Sequence, residues 1–172
     1  VHDLWIDPSD KRVMIVADDG GAQVSLNRGR TWSTYFNQPT AEFYDVITDN
    51  GFPYRAYSGQ QDNTAISVPA WSSSNSVHPF QDYRYASGCE TGPVALHPDE
   101  PSVIWGGCYG GAINRWDTRT DERRNVVIYP ELQLGQAAKD LQYRFQWAAP
   151  ILVSRHDRNV VQVVGRQIAE QL

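Results

Sequence analysis

An all-β fold of repeated antiparallel strand units is predicted by three observations. Short apolar or alternating runs recur along the 172 residues, each bounded by Gly, Pro, Asp or Asn, the punctuation of strands joined by tight turns. One order of apolar strand, Pro/Asp turn, second strand and Gly-rich or Asp/Asn turn occurs four times. The stretch Ser25-Leu26-Asn27-Arg28-Gly29-Arg30-Thr31-Trp32 carries the residues of a self-bonded hairpin turn. In such a turn Asn27 bonds to nearby backbone and Gly29 supplies a positive φ, while Thr31 opens the next strand and Trp32 folds back as an apolar plug.

The elements follow in chain order. Val13-Met14-Ile15-Val16, Ala22-Gln23-Val24-Ser25, Val103-Ile104-Trp105 and Asn159 to Val164 read as strands because they are β-branched or alternating. Gly135 to Leu141, with Ala137 and Ala138 inside it, reads as the one helical turn. The first repeat leads from Leu4-Trp5-Ile6-Asp7-Pro8 to Asp18-Asp19-Gly20-Gly21, and the second from Tyr44–Asp49 to Tyr57–Asn63. The third leads from Val94–Asp99 to Trp105–Gly111, and the fourth from Ile151–Asp157 to Val163-Val164-Gly165-Arg166, stopping at Leu172. Equivalent Asp residues stand 42 (Asp7 to Asp49) to 58 (Asp99 to Asp157) residues apart. A period near ~50 suits one four-stranded sheet with variable outer loops.

Repeats of this kind bury their apolar faces only against one another. Successive sheets are therefore expected to stack around a shared axis as the blades of a partial β-propeller. The expected domain is single and incomplete over residues 1–172, about three and a half blades: 1–40, 41–88, 89–142 and an incomplete 143–172. A ring closes only from about four blades. A piece of a longer protein is one expectation; the other is self-association through open blade edges, which are templates for pairing.

Composition excludes several classes. With 41% hydrophobic and 12% aromatic residues the chain can pack a core, which argues against disorder. A net charge of −5 offers no basic field for a phosphate backbone, so no nucleic-acid partner is expected. No apolar run approaches the ~20 residues of a membrane helix. The His residues lack zinc-ligand spacing, and no metal or other cofactor is expected, although Asp18, Asp19, Asp62 and Asn63 are oxygen donors of the kind calcium takes. Gly106-Gly107-Cys108-Tyr109-Gly110-Gly111 precedes no helix pattern and no Lys, so it is not a phosphate loop. Cys89 and Cys108 fall near one end of the hairpin that Val94–Leu96 and Ile104–Gly106 would form, which leaves a disulfide and two buried thiols both open.

The chain resembles the sortilin-like and BNR/Asp-box repeat propeller proteins, a group that includes xyloglucanase-like glycosyl hydrolases and large secreted bacterial proteins. The matching stretches are His2–Pro8, Asp18–Gly21, the Asp-box of Ser25, Asn27, Gly29, Thr31 and Trp32, Gly59–Asn63, Tyr109–Gly111 and Tyr143–Leu152. Asn27 stands where the Asp-box usually has Asp. The resemblance implies the propeller fold and an extracellular or periplasmic location; activities in the group are varied. In its hydrolases a catalytic carboxylate sits in an Asp-x-Gly-Gly turn, which Asp18 and Asp19 match. The partner carboxylate there belongs to a second propeller.

Glycoside hydrolysis needs two carboxylates flanking the bond, and Asp62, in the equivalent turn of the second repeat, is the local substitute. Set against this, Asp-Gly-Gly is also a good turn in its own right. A binding role draws on more of the chain: turns of successive blades converge, which would bring Asp19, Asp62, Glu90 and Tyr109 to one cavity. Trp71, Tyr83 and Tyr85 would be sugar-stacking aromatics, and Trp5, Trp32, Trp105, Trp116 and Trp147 are expected to fill core. Arg123-Arg124 reads as a solvated turn and Ser72–Ser76 as an exposed loop. The expected function is a module that binds carbohydrate or protein ligands at the blade-turn face and is not catalytic by itself. A glycoside-hydrolase piece and a structural assembly domain are the alternatives.

Overall fold

A computed structural model describes residues 1–34, 40–127, 129, 131 and 135–167. The chain is mostly β and falls into two compact units, Val1–Glu42 and Phe43–Leu172. In the first unit, β1 (Asp3–Ile6), β2 (Met14–Asp18) and β3 (Gly21–Ser25) form an antiparallel sheet in chain order. Short polar side chains make its turns. Asp7 Oδ1 accepts from Ser9 N at 2.8 Å, and Asp18 Oδ1 accepts from Gly20 N at 2.9 Å. Register places Trp5, Ile15 and Val24 in one cross-strand row, and they are 48%, 39% and 38% exposed. The expectation that Trp5 fills core is thereby corrected.

The turn from Ser25 to Trp32 forms as its residues require. Ser25 Oγ accepts from Gly29 N at 2.8 Å, and Asn27 Oδ1 accepts from Thr31 N at 2.9 Å. Asn27 also donates from Nδ2 to Thr31 Oγ1 at 2.8 Å, a bond an Asp carboxylate there could not donate. Gly29 has φ 76°, and a Cβ there would stand 3.3 Å from the Trp32 ring, which lies over the turn. Trp32 is partly exposed, so it covers the turn and not a core. Beyond it the chain runs back along β3, with Ser33 N donating to Val24 O at 2.9 Å.

The second unit contains three successive sheet layers. β4 (Ile47–Thr48), β5 (Arg55–Ser58), β6 (Ile66–Pro69) and β7 (Arg84–Tyr85) form a four-stranded antiparallel sheet. β8 (Val94–Leu96), β9 (Val103–Gly107), β10 (Ile113–Asp117) and β11 (Glu122–Asn125) form a second. A hairpin of β13 (Ile151–Val153) and β14 (Val161–Val163) follows. Alternation sends Val94, Ile104 and Trp116 toward one side of the β8–β11 sheet and Ala95, Val103, Trp105 and Ile113 toward the other. The first group packs with Tyr57, Ala65, Ala86 and Ile47, and the second with Ile151, Val153, Val161 and Val163. The middle sheet is thus covered on both faces, and every residue of β9 is buried.

Several expectations differ from these elements. The chain makes a short helix, α1 (Pro79–Asp82), which no apolar period announced; Pro79 at its start and the His78 side chain, accepting from Phe80 N, nucleate it. Within Gly135 to Leu141 only a 3-10 turn, Ala138–Asp140, forms. Val164 and Gly165 do not end the fourth repeat in a turn. β15 (Gly165–Gln167) carries the line of β14 onward to pair with β12 (Tyr143–Phe145), and the end of that repeat, to Leu172, lies outside the described residues. Arg123 belongs to β11, with its guanidinium 4.9 Å from the Trp116 ring and 5.3 Å from that of Tyr85. Arg123 and Arg124 both lie on a strand and not in a turn, they stay exposed as expected, and the stacking uses Tyr85 as a structural partner.

Two measurements test these elements. Asn27→Ala removes the acceptor of Thr31 N and should lower the stability of the first unit by about 1 kcal/mol in denaturant unfolding, with Asn27→Asp retaining most of it. Tyr57 is buried and its hydroxyl donates to Asp49 Oδ2 at 2.9 Å. Burial first, and that bond second, push its phenol up to about 12. A raised phenol stabilises the fold fully below the ordinary value of 10.0, and that stability is lost as pH rises toward 12. The alkaline loss of stability should therefore shrink in Tyr57→Phe, followed by thermal melts across that window.

Candidate functional site

The site begins at the turn after β5. Gly59 admits no side chain, because a Cβ would lie 2.7 Å from Glu90 O and 2.8 Å from Gly92 O. The buried Gln60 donates from Nε2 to Thr64 O at 2.7 Å, and Asn63 N donates to Gln60 O at 3.0 Å, which closes the turn. Asp62 sits at the apex with φ 56°, a left-handed conformation that Asp accepts more readily than most residues. Glu90 Oε2 accepts from Asp62 N at 2.5 Å and from Gln61 Nε2 at 2.9 Å. The same Gln61 amide donates to Asp62 Oδ1 at 2.7 Å. Two carboxylates thus share one NH2 group, which offsets the repulsion that would separate bare charges.

A disulfide carries the site onward. Cys89 and Cys108 are bonded, with Cα atoms 5.1 Å apart, and they tie Glu90 to the turn that holds Tyr109. The bond resolves the two alternatives left open for these residues. The Tyr109 ring lies 5.0 Å from that of Trp147, tilted by 52°. Trp147 Nε1 donates to Tyr44 Oη at 2.9 Å, and Tyr44 follows Phe43, which bridges to Gln60 across the strand edge. Phe145 packs on Gly111, where a Cβ would lie 2.6 Å from its ring. These links gather two carboxylates, an amide and three aromatic rings around one end of the sheets. Trp147 remains 48% exposed. An exposed indole face suits the CH face of a pyranose, and carboxylates and an amide suit hydroxyls.

Of the four residues expected at one cavity, Asp62, Glu90 and Tyr109 are joined in this way. Asp19 lies in the first unit, where it pairs with His2; that hydrogen bond holds its carboxyl below the ordinary value. Asp18 bonds to its own turn at Gly20 N. Ser25, Asn27, Gly29, Thr31 and Trp32 serve the turn described above. Trp147 is corrected from core to a half-exposed place beside Tyr109, whereas Trp105 is buried and Trp116 half-buried as expected. Among the described residues no group of three His, Cys, Asp or Glu side chains is gathered to hold a metal. Sequence reasoning missed Gln61, Tyr44 and Trp147. The signal for Trp147 was its place between strands, in Gln146-Trp147-Ala148-Ala149-Pro150, where alternation sends no side chain inward.

Removing the Cys89–Cys108 bond, by a dithiol or as the double Cys→Ser variant, frees a loop with a sequence separation of 19. Loop entropy alone predicts about 3 kcal/mol lower stability of the second unit in denaturant unfolding. Compared with known proteins, the chain matches no protein-family model and no curated protein.

Proposed function

We propose that this chain is a β-propeller module of the BNR/Asp-box, sortilin-like kind. Its second unit binds a carbohydrate at the face formed by Asp62, Glu90, Tyr109 and Trp147, without catalysis of its own. The observations that carry the reading are the exposed Trp147 ring, fixed by Tyr44 and Tyr109, and the two carboxylates joined through Gln61. A pre-oriented aromatic ring loses little entropy on stacking against a sugar. The propeller reading draws support from the β8–β11 sheet, packed between a sheet on one face and a hairpin on the other. An extracellular or periplasmic location draws support from the Cys89–Cys108 bond.

The shared Gln61 amide also favours a second reading, hydrolysis by a close carboxylate pair such as retaining glycosidases use. Against it, Glu90 Oε2 already accepts two hydrogen bonds that shape the Asp62 turn. One titration separates the readings. Neutral oligosaccharides should shift the Trp147 indole N–H resonance saturably, and Trp147→Ala should weaken that binding about tenfold, the equivalent of ~1.4 kcal/mol of stacking. Unchanged affinity in Trp147→Ala would refute the site. Release of reducing ends that stops in Glu90→Gln would make the module a hydrolase instead.

A further inference from the structure

We infer that one face of the β1–β3 sheet is an interface for a second copy of this chain, packed face to face and antiparallel about a two-fold axis. The edges of that sheet are already engaged. At the β1 edge, Leu4 N donates to Asp3 Oδ1 at 2.8 Å. At the β3 edge, Ser33 N donates to Val24 O at 2.9 Å, and Val24 N donates back to Ser33 Oγ at 2.9 Å. Engaged edge groups are poor templates for another strand, so association passes to the face of the sheet.

Register identifies the face. Trp5, Ile15 and Val24 form one cross-strand row, and Asp3, Ala17 and Ala22 form the next row on the same side. The three large apolar residues are all exposed, and a rigid sheet that holds such a row in water marks an interaction surface. The short Ala17 and Ala22 leave a shallow step beside the row, into which the facing row of a second copy fits at the ~10 Å spacing of packed sheets. The other side of the sheet is finished with polar bonds. Gln23 Nε2 donates to Ser33 O at 3.0 Å, and the buried Ser25 accepts from Gly29 N.

Charge selects the second copy as occupant. The β1–β2 turn and the Ser25–Trp32 turn lie at one end of the sheet, joined by Arg28 N donating to Arg12 O at 3.0 Å. That end carries Lys11, Arg12, Arg28 and Arg30 against Asp7 and Asp10, and Asp10 is taken by Arg12. Among the described residues, Lys11, Arg28 and Arg30 make no ion pair. The opposite end, at the start of β1 and the β2–β3 turn, carries Asp3, Asp18 and Asp19 with no Lys or Arg. A two-fold axis brings residue i onto j and j onto i, so each basic end meets an acidic end twice. A parallel pairing would oppose like charges and be rejected. The face is three strands wide, well below the ~1,200 Å² of a standard interface, so the pair is a weak one that depends on this match. It rests on the first unit alone and stands whether or not the second unit binds sugar.

The test is sedimentation velocity of the full chain, with the Trp5 indole N–H resonance as a second reporter. At low salt the chain should show a micromolar monomer–dimer equilibrium, and the Trp5 resonance should move with protein concentration. The equilibrium should weaken toward ~1 M salt, where the Debye length falls to ~3 Å. Trp5→Ser should weaken pairing about tenfold, with thermal melts close to those of the wild type because the side chain is exposed. The double variants Lys11→Glu/Arg30→Glu and Asp3→Lys/Asp19→Lys should each pair poorly with themselves. Mixed together they should pair with one another, since each then meets the sign it lacks. A chain that stays monomeric at every concentration would overturn the inference, whether Trp5 is exposed or shielded by the rest of its own chain. So would a dimer that survives Trp5→Ser, or a mixture of the two double variants that does not associate.

Discussion

Covering both faces of β9 is the constraint on which the rest of the second unit depends. Val103, Ile104 and Trp105 alternate sides and are all buried, so the strand is stable only with a layer on each flank. Apolar side chains drive this, at ~25 cal/mol per Å² removed from water. Backbone contact then sharpens it. A Cβ on Gly106 would stand 1.8 Å from Ser87 O, and one on Gly92 1.9 Å from Gly107 O. The segment leading from β7 into β8 therefore packs main chain against main chain on β9. A side chain at either glycine would push the layers apart.

That close packing is what brings Glu90 to the Asp62 turn and Cys89 to Cys108. Cys89 N donates to Gly107 O at 3.0 Å, which sets Cys89 opposite the end of β9 and lets it reach Cys108. Glu90, one residue on, is delivered to the Asp62 turn because Gly59 leaves room for its carbonyl. Tyr109 follows Cys108 and meets Trp147 from the segment ahead of β13. Each contact joins residues far apart in sequence through strand ends that the layering has already aligned.

Charge plays a lesser part. The Arg119 guanidinium bonded to Asp117 holds that carboxyl down to about 2, and Arg12 does the same for Asp10. Both pairs join neighbours two residues apart across tight turns. The Arg12–Asp10 pair is exposed and adds little to stability, while Asp117 is buried with Arg119 over it in water; both fix turns more than they hold the layers. Arg123 differs because it lies over Trp116 and Tyr85, so that the cation and two rings seal the seam between the first two layers of the unit.

Strand content, turn chemistry and the repeat were legible from the chain because they are local. Alternation, Asx bonding and the freedom of Gly29 act within a few residues. Ser25 to Trp32 folds as its composition requires, and Asp18 serves its turn. Asp62 and Tyr109 were nameable as candidates because each lies in the turn between the second and third strands of its sheet, whereas Glu90 lies in the segment that joins β7 to β8. What a periodicity cannot reveal is which tryptophan a neighbouring layer covers. Trp105 and Trp147 are the same residue type, yet one is enclosed by two sheets and the other stands beside Tyr109 in water. The pairing of Cys89 with Cys108, the bridging amide of Gln61 and the pairing of β15 with β12 likewise come from segments brought side by side. Sequence alone determined the local conformations and their order; the stacking of layers decided which side chains face one another, because burial depends on neighbours distant along the chain.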